Sequence, residues 1–481
     1  MRVLLTGVTG YIGRRLMARL ATEKEISLRL FVRNAAKLHP PSGPNIEVAE
    51  GSTFDRALLA SALANVDTAY YLIHSLGAKG NFPELERRSA ENFRETCLEV
   101  GVRRIIYLGG LGVKETASPH LRSRIETGEI LSARPDKIQT LWFRAGIIIG
   151  SGSASFEIIR HLVQKLPVLI TPRWILTRTQ PIGVESVLDY LQQARTLPTG
   201  PSLVVDIGGE VMSFKDMLLR AATVMGLRRR IISLPLFTTK LSSYWLVLIT
   251  PVPYRLAKEL AEGLKSETIA LNDLAAKLFP AIVPEPYERT ISRALEEIET
   301  NQVVSRWCDS TTGEACDLDI QEKTSDAVYS DRRVFGLGSL AAEEVFRSIQ
   351  SLGGHRGWLA FDWLWRIRGL LDKLAGGPGL NRGRRDPQEL RIGDSLDFWK
   401  VQDVRKNQRL LLLAQMKVSG RAWLEFAIKG NSLVQTAYFL PRGLAGRLYW
   451  HSMRPAHALI FSQIAKKIIE AARKRAGGHR P

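Results

Sequence analysis

Short apolar runs alternate with amphipathic stretches over residues 1 to about 145. Val3–Leu5, Ser27–Val32, Ile46–Ala49, Val66–Ile73, Arg104–Leu108 and Thr140–Phe143 each read as a buried strand. Residues 11–22, 54–65, 82–100 and 120–134 read as the helices between them. Strands that alternate with helices of this length predict a parallel sheet covered by helices on both faces. The predicted class is an α/β Rossmann fold, a doubly wound parallel sheet.

The pattern is less regular from 150 to 300. Val204–Gly208 reads as a further strand. Ser213–Met225 reads as a helix capped by Ser213, with Asp216 as the acid of a capping box. Residues 1–300 are therefore assigned to one Rossmann domain, with an inserted region at about 150–300. The polar stretch 301–335 reads as a linker. Residues 336–481 read as a second, α+β domain. Leu340–Leu352 is helical in pattern, and Gly357–Leu374 is rich in Trp and basic residues. The runs Ser395–Val404, Arg409–Val418, Arg421–Lys429 and Ser432–Leu440 are separated by short turns and predict an antiparallel meander. A last helix, roughly Pro455 to Ala476, has apolar positions at 459, 460, 464, 468 and 469 and a basic end at Arg473–Arg475. The expected packing is a curved antiparallel sheet gripping a long C-terminal helix.

Charge adds a partner class. The chain of 481 residues carries a formal net charge of +19. From Arg366 onward there are 23 Lys and Arg against 8 Asp and Glu, a difference of +15. A basic surface attracts phosphorylated ligands, acidic lipid headgroups or nucleic acid, or is simply solvated. No helix-turn-helix, zinc-finger or RNP signature is visible, so no nucleic-acid partner is expected. Three cysteines (Cys97, Cys308, Cys316) make no disulfide framework and no metal-ligand cluster. No metal is expected, and a reducing, cytoplasmic setting is. Strand-like residues begin at Arg2, where a signal peptide would otherwise run. Trp245–Pro253 is short and broken by Thr250, Pro251 and Pro253. It reads as a buried helix or a membrane-touching segment, not a span. Peripheral contact with the inner membrane face stays open.

The chemistry concentrates at the start. Thr6-Gly7-Val8-Thr9-Gly10-Tyr11-Ile12-Gly13 follows the first strand and opens the first helix. Glycines three apart let the backbone turn tightly and approach a pyrophosphate, toward which the helix N-terminal amides point. The candidate cofactor residues here are Gly7, Thr9, Gly10, Tyr11, Ile12 and Gly13. The second strand ends in Phe31-Val32-Arg33. An acid there would bond the ribose of NAD; a base pairs instead with the 2′-phosphate of NADP. Arg33, with Lys37 one turn on, favours NADP(H) over NAD(H). Ser52 after the third strand is placed near the adenine. His74 and Ser75, after the fourth, lie where ribose and phosphates run.

TGVTGYIG followed by FVRN resembles the atypical and extended branches of the short-chain dehydrogenase/reductase superfamily, the NmrA-like proteins among them. The likeness continues through Phe143-Arg144-Ala145-Gly146 and Asp206-Ile207-Gly208-Gly209. The whole chain is similar to a bacterial family that fuses such a domain to a C-terminal domain of unknown function. That match rests on Tyr70-Tyr71-Leu72-Ile73-His74-Ser75, Ser118-Pro119-His120-Leu121, Gln435-Thr436-Ala437 and Pro441-Arg442-Gly443. The C-terminal pattern is also similar to the helix-grip, START-like ligand-binding fold.

The resemblance implies a catalytic Ser after the fifth strand and a Tyr-x-x-x-Lys on the next helix. Here the strand runs into Leu108-Gly109-Gly110-Leu111-Gly112, and the helix carries His120-Leu121-Arg122-Ser123-Arg124. His120 and Arg124 occupy the Tyr and Lys positions. His can move a proton near neutral pH, whereas Arg stays charged and cannot reproduce lysine chemistry. The pair is either a variant acid/base couple or a basic helix surface beside the cofactor. In the C-terminal half, Trp358, Trp363, Trp365, Trp399, Trp423 and Trp450 line either an apolar ligand cavity or an ordinary core. Arg382, Arg384 and Arg385 form a phosphate clamp or a solvated loop. Two readings follow: an NADP(H)-dependent oxidoreductase acting on an apolar small molecule, or a non-catalytic NADP(H)-binding sensor or scaffold associated with a membrane or a quinone.

Overall fold

The computed structural model describes residues 1–35, 38, 43, 45–73, 82–234, 254–300, 303–305, 324, 327–374, 384, 386, 389–416, 419–441 and 443–477. The chain divides into two compact units, residues 1–250 with 254–317 and residues 251–253 with 318–481.

The first unit holds strands β1 (Arg2–Leu5), β2 (Ser27–Val32), β3 (Ile46–Glu50), β4 (Thr68–Tyr71), β5 (Arg104–Gly110) and β6 (Gln139–Ala145). Between them lie helices α1 (Tyr11–Leu20), α2 (Arg56–Leu63), α3 (Phe82–Glu99) and α4 (Pro119–Leu131). Short strands β7 (Ile148–Ile149), β8 (Val168–Pro172), β9 (Arg178–Thr179) and β10 (Ile182–Gly183) follow, with helices α5 (Ala154–Lys165) and α6 (Val184–Ala194). Then come β11 (Leu203–Ile207), β12 (Met212–Ser213), α7 (Phe214–Val224) and β13 (Arg230–Leu234). Helices α8 (Tyr254–Gly263), α9 (Leu274–Leu278) and α10 (Tyr287–Glu299) complete the unit.

Seven strands make one parallel sheet in the order β11-β6-β5-β4-β1-β2-β3. This is the predicted doubly wound Rossmann arrangement, with the order reversing between β1 and β4. Strand periodicity builds the two core layers. Val3, Leu5, Ile106, Leu141 and Phe143 pack on one face with α1 and α6 residues such as Leu16 and Val187. Leu4, Ile105, Tyr107 and Trp142 pack on the other with Leu59, Phe93 and Ile125 of α2, α3 and α4. Ser213 and Asp216 form the capping box of α7 as read, and Ser118 accepts the Leu121 N–H, with Pro119 in the first turn of α4.

The second unit contains β14 (Tyr329–Gly336), α11 (Ala342–Gln350), α12 (Asp362–Leu374), β15 (Ser395–Leu396), β16 (Trp399–Arg405), β17 (Arg409–Ala414), β18 (Gly420–Lys429), β19 (Ser432–Pro441) and α13 (Gly443–Gly477). Its six-stranded antiparallel sheet runs β14-β19-β18-β17-β16-β15. Phe461, Ile464, Ala465, Ile468 and Ala472 of α13 recur at helical spacing and pack with Leu410, Leu412, Leu424 and Phe426 of the sheet.

Three expectations change here. The stretch read as linker, 301–335, contains nearly all of β14. Its residues alternate between half-buried and exposed, and polar residues stand on both faces, Asp331 and Arg333 on the half-buried one and Ser330 and Arg332 on the exposed one. The last helix starts at Gly443 rather than Pro455, so Pro455 lies inside it although proline favours a first turn. Leu459, expected on the buried stripe, is exposed. The segment Trp245–Pro253 lies outside the described residues.

Candidate dinucleotide site

The turn after β1 is stitched to the end of β4. The buried Thr6 hydroxyl donates to the Tyr70 carbonyl at 2.8 Å and accepts the Leu72 N–H at 3.2 Å. Gly7 has φ +67°, and a Cβ there would stand 2.3 Å from the Leu72 carbonyl oxygen. The Gly10 N–H donates to the Gly7 carbonyl at 2.9 Å. A Cβ on Gly13 would meet that same carbonyl oxygen at 2.2 Å. Only glycine permits this crossing of turn and helix. Gly10 is the N-cap of α1 and has no side chain to accept the first amides, and the first turn holds no acid. Those N–H groups and the positive helix end are left to an anion. Thr9, Tyr11 and Ile12 stand half-buried at this end of α1. The turn therefore fits a pyrophosphate.

Arg33 is exposed immediately beyond β2. The Ala35 N–H donates to Glu50 at 3.0 Å and the Gly51 N–H to the Val32 carbonyl at 2.9 Å, which tie the ends of β2 and β3 together. The Ser52 hydroxyl accepts the Phe54 N–H at 3.3 Å and shapes the turn into α2. Lys37, His74 and Ser75 lie outside the described residues.

His120 and Arg124 occupy the first two turns of α4, beside the C-terminal end of β5. The Arg124 guanidinium donates to the Leu108 carbonyl, and the Tyr107 hydroxyl donates to the Arg124 carbonyl at 2.9 Å. Burial, set against the nearby Arg124 charge, pushes the Tyr107 phenol up to about 12. Gly110, at the end of β5, lies close enough to α4 that a Cβ would sit 2.8 Å from Leu121.

Several contacts that shape the site escaped the sequence reading. Tyr11 donates to the Ser151 carbonyl at 3.1 Å. Arg15, with its side chain 3% exposed, donates to the same carbonyl at 3.0 Å and to the Ser151 hydroxyl at 2.7 Å. It also pairs with Glu185 at 3.3 Å and Glu297 at 3.2 Å. Arg19 continues the row onto Glu185 and Asp189. The spacing that could have revealed it is basic at 15 and 19 against acidic at 185 and 189, one turn apart on each helix. At the far edge of the sheet, Arg144 grips Asp206 through two bonds of 2.6 and 2.8 Å, and the Leu271 N–H completes the carboxylate at 2.7 Å.

Known families match both parts of the chain. Residues 7–137 match the family described as NAD(P)H-binding, and residues 324–464 match one described as "Protein of unknown function (DUF2867)". The chain joins an NAD(P)-binding domain to a DUF2867 domain. A curated relative is the (4-alkanoyl-5-oxo-2,5-dihydrofuran-3-yl)methyl phosphate reductase of Streptomyces griseus subsp. griseus. The two are 26% identical over 178 residues, which cover 36% of this chain and 59% of the relative's length. Solved structures similar to this chain include gox2253, at 19% identity and a TM-score of 0.49, covering 62% of this chain and 98% of that one. MoeE5 in complex with UDP-glucuronic acid and NAD matches at 16% identity and a TM-score of 0.48, covering 62% and 99%. The UDP-glucuronic acid 4-epimerase of Bacillus cereus, in complex with UDP-glucuronic acid and NAD, matches at 13% and 0.48, covering 62% and 99%.

In the DUF2867 domain an aromatic cluster belongs to the hydrophobic core that the sheet helps to form. Trp358, Trp365, Phe398 and Trp399 contact one another with ring centroids 5.5 to 6.4 Å apart. Of the alternatives read from sequence, these tryptophans make core. Trp363 is exposed. Arg384 donates to the Leu352 carbonyl at 2.7 Å, while Arg382 and Arg385 lie outside the described residues.

Proposed function

We propose that the NAD(P)-binding domain takes NADP(H) and serves as a reductase of an apolar small molecule. One observation carries this reading: the glycine turn at Gly7–Gly13 leaves no room for side chains and presents the uncapped amides of α1. Arg33, exposed immediately beyond β2, supports NADP(H) over NAD(H), since a base after this strand pairs with a 2′-phosphate. When bound, the coenzyme supplies a hydride. Gly10 and the first turn of α1 would hold its pyrophosphate, Arg33 its extra phosphate, and Ser52 the adenine side. Arg124, fixed on the Leu108 carbonyl, would orient the ribose or phosphate edge, and His120 would carry the substrate proton. The reductase activity in the relative's name supports the reaction type; the compound named there carries a phosphate as well as an alkanoyl group.

A second reading, a non-catalytic NADP(H) sensor or scaffold, is favoured by Gly110 and Arg124. Gly110 ends the strand after which a catalytic Ser is expected, and the Arg124 guanidinium is engaged by a backbone carbonyl and stays charged where lysine chemistry is expected. Fluorescence titration with NADPH and NADH, followed by NADPH consumption with a panel of quinones and carbonyls, separates the two. The reductase turns over at least one acceptor and loses that activity in His120→Phe. Tight NADPH binding without turnover establishes the sensor. Turnover indifferent to His120→Phe removes His120 from the chemistry.

A further inference from the structure

Helix α12 turns its apolar side away from the protein. Trp365 and Asp372 point into the fold and are buried. Trp363, Ile367, Leu370, Leu371 and Leu374 recur at helical spacing on the opposite side and are 49% to 60% exposed. An apolar stripe that faces water over several turns marks an interaction surface. It continues beside α13. The Arg368 guanidinium lies 5.6 Å from the Tyr449 ring centroid and donates to its hydroxyl at 3.2 Å, joining the two helices. Leu444 and Leu448, one turn apart just before Tyr449, are 73% and 63% exposed.

Charge selects the occupant. Arg366 stands exposed within the stripe, and Arg447 and Arg454 are exposed on the first turns of α13. Negative charge is sparse in the same region. Asp372 is buried, Asp362 is exposed at the start of α12 and accepts the Trp358 N–H at 2.9 Å, and α13 has no acid before Glu470. Large aliphatic side chains, a Trp and arginines, with a single exposed acid on α12, match an anionic headgroup layer over acyl chains. We propose that α12, with the start of α13, is a membrane-surface element that seats this protein on anionic lipid bilayers. The helix lies in the interface rather than across it, since no described helix is long and apolar enough to span a membrane. This attachment does not depend on the coenzyme reading.

The test is co-sedimentation of the full chain with two vesicle types, pure phosphatidylcholine and equal parts phosphatidylcholine and phosphatidylglycerol. The protein pellets with the anionic vesicles, less with the neutral ones, and is released by salt. Leu370→Glu/Leu371→Glu and, separately, Arg366→Glu/Arg447→Glu weaken vesicle binding by at least about tenfold. All four side chains are exposed, so the variants keep the fold, which circular dichroism checks. Wild-type protein that stays in the supernatant with both vesicle types overturns the proposal. So does a dimer, seen by analytical ultracentrifugation, that Leu370→Glu/Leu371→Glu dissolves, because a second copy then covers the stripe.

Discussion

Tyr11 and Ser151 are joined by a hydrogen bond of 3.1 Å, from the phenol of the first residue of α1 to the backbone carbonyl of the loop after β7. Arg15, one turn along, reaches the same carbonyl at 3.0 Å. The end of α1 at the glycine turn is thereby fastened to the loop between β7 and α5. Burial raises the Tyr11 phenol well above its ordinary range, more than the Arg15 charge lowers it, so it donates throughout the working pH range.

Removing either partner loosens this joint by different amounts. Tyr11→Phe deletes one hydrogen bond and lowers the unfolding free energy by about 1 kcal/mol. Arg15→Leu leaves Glu297 and the Ser151 groups without their buried cation and costs about 3 kcal/mol. Chemical denaturation of the three proteins side by side gives the order.

Gly13→Ala forces a methyl group against the Gly7 carbonyl, 2.2 Å away, and opens the turn. NADPH affinity falls by at least roughly tenfold, the effect of about 1.4 kcal/mol of strain on binding. Calorimetric titration measures the loss, and unfolding of the DUF2867 domain serves as the unchanged control.

Arg33→Asp exchanges a phosphate partner for a ribose partner. NADPH binding weakens by roughly tenfold or more, as expected for loss of a charge-assisted hydrogen bond, while NADH binding holds or improves. Equal losses for both coenzymes would show that Arg33 does not read the 2′-phosphate.

Asp397 gives the DUF2867 domain a pH signature. Burial lifts its carboxyl from an ordinary 3.8 to about 6, although the Trp358 indole donates to it at 2.8 Å and Gly354 also points its N–H there. Between those values the folded protein keeps a proton that the unfolded chain has released. Stability therefore declines as pH rises through the window, by on the order of 3 kcal/mol, and levels off above it. Asp397→Asn, which tolerates the left-handed φ of +55° found here, removes that slope. Denaturation of both proteins from about pH 4 to about pH 7 checks it.

How much could be read in advance follows from where each signal comes from. β2 falls on Ser27–Val32 as expected, because Leu28 and Leu30–Val32 form an apolar run that an inner strand of the sheet buries, with Ser27 and Arg29 half-buried between. The glycine turn was legible because its backbone geometry excludes other residues. β14 was not, since Tyr329–Gly336 is an edge strand whose polar residues look like a linker until β19 lies beside them. Arg15 was not, since an arginine on an amphipathic helix is ordinarily solvated.

The sequence alone determined the alternation of strands and helices, the phosphate-fitting turn and the basic C-terminal quarter. Each is a local property, set by side-chain periodicity, by glycine's freedom of φ or by summed charge. Tertiary structure decided which charges are buried, which tryptophans fill the core, and that α12 turns its apolar face outward. Those outcomes depend on neighbours distant in the chain, whose positions exist only once the sheets have closed over their cores.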